Sequence, residues 1–237
     1  LKGFIEDIHQ LKSRLIIPAF SVGRTQNILY TLNRLTEEGR MPPTPVYVDS
    51  PLSLKATQVY AKHRECYDEE ASDILRQGID PMKFPGLRFI ETPDQSKALN
   101  DLPGPLIIIA ASGMCEGGRV LHHLQRAVGD PRNIILIVGF QAEHTLGRRI
   151  VERQSPLKIL GDEFELNARV HTINALSAHA DRTALMRWFD GIKGTRLSRV
   201  FAVHGEPEKV AAMTELVKQH GVENVVAPVP GQTFKNV

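Results

Sequence analysis

Two histidines lie where apolar segments give way to helical patterns: His179 in SAHAD and His204 in VHGE. Imidazole in such a position serves as a zinc ligand, as a general acid near neutral pH, or as a structural hydrogen-bond partner. Single residues do not choose among the three. Two glycine-bearing turns, FSVGRTQ (Phe20 to Gln26) and ASGMCEGGR (Ala111 to Arg119), each join an apolar run to a helical pattern. The free N–H groups and partial positive charge at a helix start suit phosphate oxygens. Arg24 and Arg119 stand where bidentate contacts to such oxygens would add to them. The competing reading is that the glycines only permit tight turns. Neither turn has the GK[ST] ending of a P-loop, and neither completes G-x-G-x-x-G.

Other candidates are weaker. VDSPLS sets Asp49 and Ser50 before a proline at the first helical position, so Ser50 reads as an N-cap. GFQAEHTLGRR carries Glu143, His144, Arg148 and Arg149, any of which suits a solvated surface. His122 and His123 are neighbours on an expected helix and point about 100° apart, which makes them poor partners on one metal.

The elements that position these residues alternate along the chain. RLIIPAF, PVYVD, LRFIE, PLIIIA and NIILIVGF are apolar on both faces, as strands of a helix-covered parallel sheet are. Between them the spacing predicts helices, for example Ile28, Leu29, Leu32 and Leu35 with Gly39 as the stop. Residues 10–155 thus read as a doubly wound α/β domain. From residue 156 the texture changes to a hairpin pattern, KILGDEFELNARVHTI. There follow a helix that Asp181 caps, a strand RVFAVH, a helix over 206–220 and a strand near Val225, together expected to form part of a second domain over 156–237.

Hydrophobic residues at 42% and charged residues at 24% describe a soluble globular chain. A net charge of +2 places any polyanion site on locally arranged arginines, not on a global field. No run reaches the ~20 apolar residues of a membrane span, so a cytoplasmic protein is expected, with no membrane partner. Cys66 and Cys115 are too few for a disulfide framework and read as small, partly buried hydrophobes. The first residues open inside a helical pattern without Met, which suggests a piece of a longer chain.

In order, IIPAFSVGRTQNILY, VYVDSPLS, IIIAASGMCEGGRVLHHL, ILIVGFQAEHTLGRR, LSAHADR and VFAVHGEPE resemble the β-CASP nucleases of the metallo-β-lactamase superfamily. The blocks resemble most the bacterial and archaeal RNA-processing members, relatives of the cleavage-and-polyadenylation endonuclease. The resemblance implies a β-CASP domain over 10–155 and the C-terminal part of a metallo-β-lactamase αββα domain over 156–237. It makes His179 the general acid and His204 a zinc ligand. Arg24, Ser112, Gly113, Arg119 and Arg148 would hold the backbone of RNA, expected to be single-stranded. The family's H-x-H-x-D-H block and acidic motif are missing from these residues. Two zinc ions are therefore expected in the intact family site and not in this chain alone, which is expected to be inactive by itself. The tail after Ser155 would expose apolar surface or pair with a second copy. Two other classes remain open: a non-catalytic RNA-binding scaffold and a nucleotide-binding α/β domain.

Overall fold

The computed structural model describes residues 1–173, 180–192 and 197–234. Two compact units divide the chain, Leu1–Ser177 and Ala178–Val237.

The first unit begins with α1 (Lys2–Leu11), β1 (Arg14–Pro18), α2 (Arg24–Glu37), β2 (Val46–Asp49), α3 (Pro51–Lys62) and α4 (Glu69–Arg76). It continues through β3 (Leu87–Phe89), α5 (Pro93–Ala98), β4 (Leu106–Ala110), α6 (Val120–Ala127), β5 (Ile134–Ile137) and α7 (Leu146–Val151). It closes with β6 (Leu157–Ile159), β7 (Asp162–Phe164) and β8 (Arg169–Thr172). Six strands form one sheet in the order β3-β2-β4-β1-β5-β8, and every pairing in it is parallel.

The reason lies in the strand residues. Every residue of β2, β4 and β5 is buried, as are Leu15 to Pro18 of β1, so both faces of the sheet need a cover. Alternation along each strand sends side chains to opposite faces. Ile16, Ile108 and Ile135 pack against Val120 and Leu124 of α6 and Ile150 of α7. Leu15, Ile17, Ile107, Ile109 and Leu136 pack against Ile5 and Ile8 of α1 and Ile28, Leu29 and Leu32 of α2. The fold is the doubly wound, mostly parallel α/β arrangement that the apolar runs imply.

The hairpin after residue 156 is present: β6 pairs antiparallel with β7 across Leu160 and Gly161, both at positive φ (53° and 100°), as a two-residue hairpin loop favours. The strand after it does not join a separate layer. β8 extends the main sheet, with Ile135 opposite Val170 and Ile137 opposite Thr172. By compactness β8 thus belongs with the first unit, Leu1–Ser177.

The second unit contains α8 (Arg182–Ile192), β9 (Val200–Phe201), α9 (Pro207–Gln219) and β10 (Val225–Val226). Asp181 caps α8 by accepting from the Ala184 N–H at 2.8 Å, and β9 pairs parallel with β10. Leu185, Trp188 and Val203 in this unit are exposed. No helix among the described residues is long and apolar enough to cross a membrane.

Cys115 is buried, and burial followed by the nearby Glu116 pushes its thiol up to about 12. It remains a neutral, inert thiol at pH 7. Cys66, expected to be partly buried, is exposed on the short helical turn after α3. A thiol reagent such as dithionitrobenzoate should therefore titrate one cysteine in the native chain and both in denaturant. Two fast-reacting native thiols would contradict the packing around Cys115.

Candidate nucleic-acid interface

Because all six strands run in parallel, the loops that follow them emerge at one edge of the sheet. In doubly wound sheets that edge is where ligands bind. After β1, Gly23 takes a φ of 80° and begins α2. Its N–H donates to Gln26 Oε1 at 2.7 Å, while Gln26 Nε2 donates to Thr57 Oγ1 at 2.9 Å and to the Ser21 carbonyl at 3.2 Å. Gln26 is fully buried, so this turn is anchored from below. Arg24, half-buried in the first turn of α2, has its guanidinium lowered by burial. Its Nε lies 4.0 Å from where a Cβ on Gly139 would stand, beside the loop after β5.

After β2, Ser50 caps α3 by accepting from the Ser53 N–H at 3.1 Å, as its place before Pro51 implies. Its hydroxyl also meets Ser21 Oγ at 3.0 Å. After β4, the Ser112 N–H donates to the Gly117 carbonyl at 3.0 Å, and Ser112 Oγ accepts from the Glu116 N–H at 3.2 Å. Gly113 is pressed against Phe20: a Cβ there would stand 2.8 Å from Phe20 Cδ2 and 2.9 Å from its backbone nitrogen. Gln141 Nε2 donates to the Gly113 carbonyl at 2.9 Å. Glu116 Oε1 accepts from the Leu146 N–H at 2.5 Å, placing a carboxylate at the start of α7. The loops after β1, β4 and β5 are thus interlocked.

Beneath them lies Asp49, at the end of β2 and wholly buried. Its Oδ1 accepts from Arg119 Nη1 at 2.6 Å, and its Oδ2 accepts from Ser96 Oγ at 2.5 Å and His123 Nε2 at 2.7 Å. Arg119 also donates to the carbonyls of Ile90 and Glu91, at 3.2 and 2.8 Å. Burial pushes the Asp49 carboxyl up, but hydrogen bonds from His123, Ser96 and Arg119 outweigh it and hold the group below its ordinary value.

Of the residues singled out in the sequence, Arg24, Ser112 and Gly113 stand in these interlocked loops. Arg119 is anchored by Asp49 and two carbonyls. Arg148, in α7, donates through Nε to Glu152 at 2.5 Å. His144 is exposed in the loop after β5, at a φ of 66°. His179 lies outside the described residues. His204, exposed after β9, lines a cavity of about 830 Å³ within the second unit. The sequence reading missed Ser96 and Phe20, and weighed His123 only as a poor metal partner of His122. The spacing of Arg119 and His123, one helical turn apart and so on one face, was the available signal for two of the Asp49 partners.

Zinc in a structural site takes four ligands, and in a catalytic site three with a water. Among the described residues no group of three or more His, Cys, Asp or Glu side chains stands ready to hold a metal. His204 offers one donor, so these residues do not fit a zinc site by themselves.

A family model described as the Beta-Casp domain matches residues 25–150, more than half of the chain. The chain belongs to the Beta-Casp domain family. A second model, described as a Zn-dependent metallo-hydrolase RNA specificity domain, matches residues 163–228. Ribonuclease TTHA0252 of Thermus thermophilus is 38% identical over 226 residues, covering 94% of this chain and 51% of that protein. Transcription termination factor FttA of Pyrococcus abyssi is 33% identical over 217 residues, covering 88% of this chain and 33% of its own. An RNase J-like protein of Methanocaldococcus jannaschii is 31% identical over 193 residues, with coverages of 81% and 43%. This Beta-Casp chain therefore spans about half the length of the first relative and a third of the second.

The Asp49 cluster yields two expectations. Asp49→Ala leaves Arg119 and His123 without their carboxylate, and losing one partner of a buried pair costs about 3–5 kcal/mol; chemical denaturation measures it. The folded carboxyl titrates below the unfolded one, so its contribution is complete above the unfolded value of about 3.9 and fades as pH falls below that toward the folded value. Asp49→Asn should flatten the acid limb of the stability curve. An unchanged limb would assign acid sensitivity elsewhere. Separately, Gly113→Ala must displace Phe20, with an expected loss of about 1–3 kcal/mol by thermal unfolding.

Proposed function

We propose that this chain is the RNA-gripping part of a zinc-dependent ribonuclease that hydrolyses phosphodiester bonds. The observation that carries the reading is the interlocked strand-end edge, with Arg24 and the Ser112–Gly113 turn, in a chain whose matched descriptions name RNA specificity and whose relatives include a ribonuclease. The described residues do not build a zinc site, so hydrolysis is assigned to the whole protein and RNA binding to this chain. His204 would contribute one zinc ligand alongside donors these residues do not supply.

At the edge, Arg24 and Arg148 supply charge for phosphate oxygens, and the Ser112–Gly113 turn brings backbone close to them. Arg119 acts through Asp49, holding the start of α6 and the residues after β3 in register beneath that turn. Phe20 and Phe140 are both exposed on this edge. Aromatic faces beside a cationic backbone track suit unpaired bases, which favours single-stranded RNA over a duplex. His179, by family resemblance, would protonate the leaving oxygen. A cytoplasmic location and a homodimer belong to the same reading, and light scattering of the purified chain tests the dimer.

Fluorescence anisotropy with labelled RNA tests the interface. Arg24→Gln should weaken single-stranded RNA binding and reduce the salt slope by roughly 0.7, the share of one phosphate contact. Duplex RNA bound as tightly as single strands, or an unaltered salt slope, would sink the assignment of this edge. A mononucleotide that raises the melting temperature when RNA does not would favour the small-molecule alternative. In the cleavage-competent protein, His179→Ala should lower turnover ~10²–10⁴-fold while RNA affinity is kept. Unchanged turnover would remove His179 from the chemistry.

A further inference from the structure

The opposite edge of the first unit's sheet carries a cavity of about 390 Å³, at the N-terminal ends of β1, β4 and β5. Four cations line it, Lys12, Arg14, Arg126 and Arg132, with one carboxylate, Asp130. That carboxylate is already matched: Arg132 donates to both its oxygens, through Nε at 3.1 and 3.2 Å and through Nη2 at 2.7 Å. Among the lining side chains three positive charges remain in excess.

The Arg14 guanidinium donates to the carbonyls of Asn100 and Leu102, at 2.6 and 2.9 Å, and so is held in place by neutral groups, with Asp101 and Asp130 acting on its charge from farther off. Burial pushes Arg14 down, and Arg126 adds to that, while Asp101 and Asp130 oppose it. Neither Lys12 nor Arg126 has a side-chain hydrogen bond or ion pair among the described residues, and both are exposed. Lys12 also ends α1 in the left-handed region, φ 49° and ψ 48°, where helices usually place glycine.

The floor is polar and unsatisfied. Ser13 is buried, only 4% exposed, and its hydroxyl has no partner. The amide oxygen of Asn100 is likewise buried without a partner, and rotating that amide by 180° presents its NH₂ group in the same place. The walls are rigid. The Arg14 N–H donates to Asn133 Oδ1 at 3.0 Å, and Asn133 Nδ2 donates to the Ala127 carbonyl at 3.2 Å. A rigid polar pocket with excess positive charge and an unmet hydroxyl donor is complementary to a tetrahedral oxyanion.

We propose that this cavity binds a phosphate group, as a second anion site on the edge of the sheet opposite the RNA interface. Lys12, Arg14 and Arg126 supply the charge, and the Ser13 hydroxyl donates to one oxygen. The same chemistry recognises an RNA backbone phosphate and a free phosphorylated small molecule, and the inference does not depend on the function assigned to the other edge.

Calorimetric titration of the full chain with inorganic phosphate at low salt tests it. Lys12→Gln/Arg126→Gln alters only exposed, unpartnered side chains, and Ser13→Ala removes one buried hydroxyl. Thermal melts confirm that the variants fold. Phosphate affinity should fall about tenfold in the double variant and a few-fold in Ser13→Ala, while Lys158→Gln, exposed on the β6–β7 hairpin, leaves it unchanged. A single-stranded oligoribonucleotide that displaces phosphate identifies the backbone as the source, and the double variant should then lower its salt slope by roughly 1.4. Phosphate that RNA fails to displace identifies a small phosphorylated ligand. The proposal is overturned if the wild-type chain does not bind phosphate, if the double variant binds it as the wild type does, or if Lys158→Gln weakens it as much as the double variant.

Discussion

Asp49 holds a negative charge in the interior of the first unit, and a charge in that position has to be met by donors on every side. Three donors come from two separate elements: Arg119 and His123 around the start of α6, and Ser96 in α5. Arg119 passes the constraint on to the carbonyls of Ile90 and Glu91. One carboxylate thus fixes the ends of β2 and β3 against the helix that begins after the Ser112–Gly113 turn. The loops that form the candidate interface rest on that knot.

The parallel sheet gives the unit two chemically different edges. At the C-terminal edge the loops are knitted by Gln26, Gln141 and the contact of Phe20 with Gly113, leaving little freedom for the backbone that would approach a phosphate. At the N-terminal edge, unmatched cations gather around a buried hydroxyl. A net charge of +2 conceals both, because neighbouring Asp and Glu residues cancel the sum without cancelling the local fields.

The second unit is smaller and carries its chemistry differently. His204 follows a two-residue strand and opens onto a cavity lined partly by apolar side chains of α8 and α9. A single imidazole beside such a cavity does not make a metal site by itself, and this chain spans about half of a longer ribonuclease relative.

Much of this was legible in the residues themselves. Strands buried on both faces must be apolar throughout, so LIIIA and IILI announce a helix-covered parallel sheet wherever they occur. Caps are equally local: Ser50 before Pro51 and Asp181 before α8 need only their own following turn. Other features were not local. Asp49 finds Arg119 and His123 across 70 and 74 residues, and β8 chooses β5 as a neighbour although its own pattern resembles the hairpin before it. The sequence by itself determined which segments become strands, helices and turns, because those choices depend on periodicity and on the next few residues. Only the tertiary structure decided which strand lies beside which, that Arg119 is bound to a buried carboxylate, and that Lys12, Ser13 and Arg126 share one cavity. Those outcomes depend on pairings between distant segments, about which periodicity carries no information.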